Sequence, residues 1–239
     1  MIEFRNVAVR TRRTITPVSF TGINLRIDPH DRLALLAPSK SSLALILGTL
    51  CAANPPDAGS VIRGSSISWP IPSNACFHKH QSFVANARFI ARLYEMDQRT
   101  FIPKVIELAG VQDIADERLD HCPSTATSRF ALALGISLPF DIYLFTNTSA
   151  GEKEDREKFN EMVAELANHS GLVIAACSGK AAKVFCDKAY VLDPAGSVLY
   201  EDLDAALEHL ERLTKRTPKT ADDEEEFAED DERPAEDFF

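Results

Sequence analysis

"LLAPSKSSLALILG", residues 35–48, is the stretch on which the fold turns. It continues "RLALLA" (32–37), a short and nearly continuous apolar run of the kind a parallel strand shows when both its faces are buried. It leads into "SLALILGTLCA" (42–52), apolar enough and long enough for a buried helix. Strand, short polar loop and helix in that order is where a phosphate loop, GxxxxGK[ST], would sit. In that motif glycines let backbone N–H groups wrap the phosphates, the lysine offsets their charge and the hydroxyl ligates Mg²⁺. Here the loop holds no glycine, and Pro38 removes a backbone donor.

Outward from this point the chain alternates strands and helices. "IEFRNVAV" (2–9) alternates apolar and polar residues, and "GINLRI" (22–27) follows as a second strand. "NPPDAG" (54–59) is a turn, and "SVIRGSSISWP" (60–70) has the pattern of a hairpin of two short strands. "FVANARFIARLYEMD" (83–97) spaces Phe83, Ala87, Ile90, Ala91 and Tyr94 as a helix does. "FIPKVIELAGV" (101–111) and "STATSRFALALGISL" (124–138) are further helices, the latter with Ser124 as its expected N-cap. "DIYLFT" (141–146) and "LVIAAC" (172–177) are buried strands. Between them "KEDREKFNEMVAELANHSG" (153–171) is an amphipathic helix, with Gly171 expected to close it. "KAAKVFC" (180–186) is a short helix. "KAYVLD" and "SVLYED" form a hairpin around "PAG", and "LDAALEHLERLTKR" (203–216) is the last helix. The order predicts an α/β domain over 1–215. It has a mixed sheet, an antiparallel N-terminal β portion and a helical insert at about 78–138 between two buried strands.

Composition narrows the function. Hydrophobic residues make up 45% and charged residues 26% of 239, ordinary for a globular chain of one large domain or two small ones. Eleven Asp or Glu and one Arg lie between Thr220 and Phe239, which accounts for the whole formal net charge of −10. Residues 216–239 are therefore expected to be a disordered acidic tail. Outside it no basic stripe supports nucleic-acid binding. Five scattered cysteines without a CxxC fit reduced thiols in a cytosolic protein. "MIEFRNVAVRTRR" lacks the apolar core of a signal peptide, and no apolar run of 18 or more residues could span a membrane. "CFHKH" brings Cys76, His78 and His80 together, yet matches no standard zinc spacing, so no metal site is expected.

The order of landmarks resembles the ATP-binding subunit of ABC transporters over about residues 1 to 212. "MIEFRNV" opens the chain as many such subunits do, and "NPPDAGSV" is similar to the turn after their phosphate-loop helix. "SISWPI", then "FH" and "ANARFIARLY", with "CDKAYVLDPAGSVLYEDLDAAL" near the C-terminal end, resemble one branch: exporters of capsular polysaccharide and related polyol phosphates. The resemblance implies a P-loop NTPase-like ABC ATPase fold, Mg-ATP as ligand, a membrane permease subunit as partner and a peripheral place at the cytoplasmic face. It also implies a register. Counting back from "PDAG", Ala37 and Ser42 take the two glycine places, Leu43 the lysine place and Ala44 the hydroxyl place. Ser39, Lys40 and Ser41 would imitate Gly-Lys-Ser only if the helix began three residues early.

The family's other positions depart in the same direction. Thr146 and Asn147 stand where an Asp holds Mg²⁺ and a Glu polarises the attacking water. Cys177 stands at the switch histidine. Ser124 and Thr125 lie in the signature motif, Thr125 in the place of its glycine. Thr11 replaces the aromatic that stacks on adenine. The resemblance places Phe77, His78, Asn86 and Phe89 at the permease-docking surface, which keeps its pattern better. The expectation is a pseudo-ATPase subunit without catalytic residues, docked to a permease or paired as a homo- or heterodimer with an intact ATPase chain. The alternatives are a scaffold or regulatory protein acting through its surface and tail, and an active ATPase with an unorthodox loop at Lys40.

Overall fold

The computed structural model describes residues 1–11, 18–73, 77–146, 153–176 and 180–216. Two sheets and three apolar cores organise them. β1 (Ile2–Arg10) lies between β2 (Ser19–Ile27) and β4 (Ala58–Arg63), antiparallel to both. The larger sheet holds β3 (Arg32–Leu36), β5 (Ile67–Ile71), β6 (Ile142–Thr146), β7 (Gly171–Ala176), β8 (Lys188–Val191) and β9 (Val198–Tyr200) in the order β5-β6-β7-β3-β8-β9. β5 through β8 run parallel, and β9 returns antiparallel on β8. The mixed sheet and the antiparallel N-terminal portion agree with the sequence pattern.

The strand patterns explain the layers. β3 is apolar at every position after Arg32 because it is covered on both sides. Leu33 and Leu35 face a core shared with the small sheet and with α1 (Lys40–Leu50). Ala34 and Leu36 face a second core, which includes Val163 of α5 (Lys153–Ala167), Phe185 of α6 (Lys180–Phe185) and Leu210 of α7 (Leu203–Arg216). A third core is built by α2 (Phe83–Leu93), α3 (Gln98–Ala109) and α4 (Ser124–Ile136) around Phe83, Phe101 and Phe130. Gly135 lets α4 lie close on β5, since a Cβ there would come within 2.7 Å of the Ile71 side chain.

Three local expectations are corrected. β4 and β5 do not form a hairpin: β4 pairs with β1 and β5 with β6, in different sheets. Gly171 does not close α5, which ends at Ala167; it opens β7, where a Cβ would meet the Pro29 carbonyl at 3.0 Å. Ser124 is the first residue of α4, with Pro123 before it and no side-chain cap.

Phe130 holds the third core together, with ring centroids 5.1 Å from Phe83 and 5.2 Å from Phe77. Phe130→Ala should lower stability by about 3–5 kcal/mol. Urea denaturation checks this, and a loss below about 1 kcal/mol would mean that the helical layer does not depend on this ring.

Candidate nucleotide site and docking surface

The nucleotide region is set by how β3 passes into α1. β3 ends at Leu36 and α1 begins at Lys40, so Ala37, Pro38 and Ser39 alone make the connection. GxxxxGK places six residues ahead of its lysine. The helix thus starts three residues before Leu43, at Lys40, the early start on which the Ser39-Lys40-Ser41 alternative depends. Leu43 is 9% exposed and packs in the same core as Ile46 and Leu50, so it has no path to a ligand. Lys40 is the first helical residue, and Ala44 faces a groove along the helix flank.

Ser39 closes this helix start. Its Oγ accepts from the Ser42 backbone N–H at 3.2 Å and shares hydrogen bonds with the Ser42 and Ser41 hydroxyls at 2.8 and 3.0 Å. The Leu43 N–H goes to the Ser39 carbonyl. The Ser42 N–H is one of the helix-start donors that a phosphate loop would turn toward its ligand. At the far end of α1, the Arg63 guanidinium donates to the Thr49 carbonyl at 2.5 Å.

Beside α1 lies a groove of about 410 Å³, lined by Val9 to Thr11, by Ser41, Ala44, Leu45 and Thr49, and by Asn54, Pro55 and Asp57. Arg10 and Asp57 tie its rim: the Arg10 N–H donates to an Asp57 carboxylate oxygen at 2.9 Å. No ring stands at Thr11 to stack on a base. β6 ends in the half-buried Thr146, which carries no charge for a metal. Asn147 and Cys177 lie outside the described residues, as does Cys76. Among the described residues no three His, Cys, Asp or Glu side chains gather as a metal site. Ser124 and Thr125 are exposed at the start of α4. Burial pushes the Cys51 thiol up to about 11 and Cys186 up to about 12, so neither is a ready nucleophile. A short loop, a proline, a self-capped helix start and a neutral strand end do not fit Mg-ATP held in the manner of a phosphate loop.

The other surface is better built. Asn86 is 3% exposed and faces inward, so it is not a contact for a partner. Its Oδ1 accepts from the His78 N–H at 2.8 Å, and its Nδ2 donates to the carbonyls of Ser82, His78 and Gln81 at 3.0 to 3.4 Å. It fixes the loop before α2. Phe77 is half-buried against Phe130, while His78 is exposed on that loop and Phe89 is 59% exposed on α2. A second tie escaped the sequence. His80 Nδ1 lies 2.8 Å from Asp120 Oδ2, and Arg118 Nε donates to Asp120 Oδ1 at 3.0 Å. The Arg118 bond and, after it, His80 hold the Asp120 carboxyl at about 2. Only the fold brings residues 80 and 120 together.

The arrangement defines a class: it is the fold of an ABC transporter ATPase cassette. Two solved structures share it at 14% identity, which establishes the fold alone. One is an ATP-binding cassette captured as a dimer after hydrolysis with ADP and Pi, with a TM-score of 0.70 over 83% of this chain and 98% of that one. The other is an inward-facing ABC transporter of metal-chelate type, with a TM-score of 0.67 over 87% and 88%.

Within that class the chain is similar to ATP-binding proteins of capsule polysaccharide export. It is 27% identical to the ATP-binding protein BexA of Haemophilus influenzae over 194 residues, 81% of this chain and 89% of the relative. It is 25% identical over 192 residues to the capsule polysaccharide export ATP-binding protein CtrD of Neisseria meningitidis serogroup B, covering 80% and 89%. The polysialic acid transport ATP-binding protein KpsT of Escherichia coli matches at 26% over 206 residues, covering 82% and 91%. No family model matches the chain.

Two measurements test the docking-side loop. Asn86→Ala removes four hydrogen bonds that hold the loop and should cost about 1–3 kcal/mol, with faster amide exchange at residues 78–82. Asp120, depressed in the folded chain, contributes its stabilisation above the ordinary aspartate value of about 4 and loses it as pH falls through about 2. Arg118→Ala should raise the Asp120 midpoint, read by carboxyl carbon NMR, toward that ordinary value.

Proposed function

We propose that this chain is a pseudo-ATPase cassette of a capsule polysaccharide export ABC transporter. It docks to the permease at the inner face of the membrane, either beside an intact ATPase chain or as a pair of copies, and does not turn over ATP alone. The observation that carries the reading is the three-residue connection from β3 to α1, sealed by Ser39. The relatives, named for ATP binding and capsule export, support the transport setting. No helix of the described residues is long and apolar enough to cross a membrane, which agrees with a subunit that meets the bilayer through a partner.

The rate argument is cumulative. A positioned charge or orienting group contributes on the order of 10²–10⁵ in such reactions. The phosphate loop, the neutral Thr146–Asn147 pair and Cys177 remove several together. What remains is a platform: His78 and Phe89 outward, over a loop pinned by Asn86 and by the Asp120 tie.

A titration of the purified chain with Mg-ATP, followed by calorimetry and phosphate release, should show no saturable heat and no release above background. Saturable binding lost in Lys40→Ala would overturn the pseudo-ATPase reading in favour of an active site built on the helix start. Co-expression with the permease should retain this chain on membranes, and Phe89→Asp should release it.

A further inference from the structure

The outer face of α2 is unlike the rest of the surface. Phe83, Ala87, Ile90 and Ala91 face the core, which leaves Arg88, Phe89, Arg92 and Leu93 outward. Phe89 is 59% and Leu93 63% exposed, one helical turn apart. Arg88 and Arg92 form a second stripe beside them, also one turn apart. Neither guanidinium has a hydrogen bond or ion pair among the described residues. Two unneutralised guanidinium groups flanking two exposed apolar side chains make a surface for an acidic segment that carries aromatics.

The chain supplies that chemistry itself. "ADDEEEFAEDDERPAEDFF", residues 221–239, sets Phe227, Phe238 and Phe239 in a string of carboxylates. The preceding 216 residues hold 24 Lys or Arg against 25 Asp or Glu, so the domain has no general positive field to attract it. Attraction has to be local, and α2 offers cations and apolar area side by side. Reach is not limiting: 23 residues beyond Arg216 span up to about 80 Å extended, against a radius of gyration of about 17 Å for a domain of this size. Tethering also makes the encounter intramolecular, at an effective concentration on the order of millimolar.

We infer that residues 221–239 fold back onto the outer face of α2 in the same chain, with carboxylates on Arg88 and Arg92 and phenylalanines on Phe89 and Leu93. The acidic segment then covers a surface that a partner must reach, and the partner has to displace it. The occluding consequence rests on the permease-docking reading, but the contact itself does not, and it is tested without any partner.

The test uses the full-length chain with Phe238 replaced by the photo-crosslinker benzoylphenylalanine. Illumination of the dilute protein should give intramolecular crosslinks concentrated on residues 85–95. Arg88→Glu with Arg92→Glu, both exposed and outside the cores, should cut the yield at least about fivefold. Salt at 1 M, where the Debye length is about 3 Å, should do the same without any substitution. Crosslinks spread over the surface, crosslinks found only between copies, or a yield untouched by both charge reversal and salt would overturn the inference. Loss of membrane retention with the crosslink pattern intact would remove the permease reading and leave this one standing.

Discussion

β3 cannot move, and much of the molecule follows from that. It is hydrogen-bonded on one side to β7 and on the other to β8, and its side chains alternate between two cores. A shift of one residue would send Leu33 and Leu35 into the place of Ala34 and Leu36 and misfill both layers. α1 is held almost as firmly, by Ile46, Leu47 and Leu50 in the core and by Arg63 on its last carbonyls. With both neighbours fixed, the length of the connection between them is set by Ala37, Pro38 and Ser39 alone. Three residues span at most about 10 Å, enough to cross from strand to helix but not to wrap a phosphate group.

The same constraint explains Ser39. A phosphate loop leaves helix-start amides for its ligand, and with no ligand those donors still need partners. Ser39 provides one with its own oxygen and draws the hydroxyls of Ser41 and Ser42 into the same small network. One of the first-turn amides, that of Ser42, is thereby satisfied without an anion. An N-cap serine contributes about 1 kcal/mol.

Much of the fold was legible because apolar runs and spacings carry it directly. The runs around Leu33–Leu36, Ile142–Phe145 and Leu172–Ala175 read as buried strands, and α2 announced itself by its spacing. The failures share one cause: local signals whose meaning depends on distant partners. The Gly64–Ser66 break between β4 and β5 looks like a hairpin turn, but β1 and β6 claim the two strands. Gly171 looks like a helix stop, but the close passage of Pro29 requires it. The helix start was the least legible point: α1 begins at Lys40, and between its end and the turn the chain runs through Ala52, a left-handed position, and past Asn54, whose amide lies over Gly48. Asn86 was recognised as belonging to its surface, but its inward role needs the loop in place.

The two ends of α1 and the loop before α2 differ in what a change there would cost. Removing a phosphate loop costs little in stability, because a serine can satisfy the exposed amides and solvent takes the rest. Loosening the loop at residues 78–82 would cost more, since the side chain of Asn86 is buried and would lose four hydrogen bonds to the loop at once. Stability alone would preserve Asn86. It would not preserve Phe89 and Leu93 in water beside Arg88 and Arg92, because exposed apolar side chains contribute little to the fold and add a risk of association. On a helix whose inner face already fills a core, two apolar side chains in water beside two guanidinium groups present both chemistries that an acidic, phenylalanine-bearing segment would match.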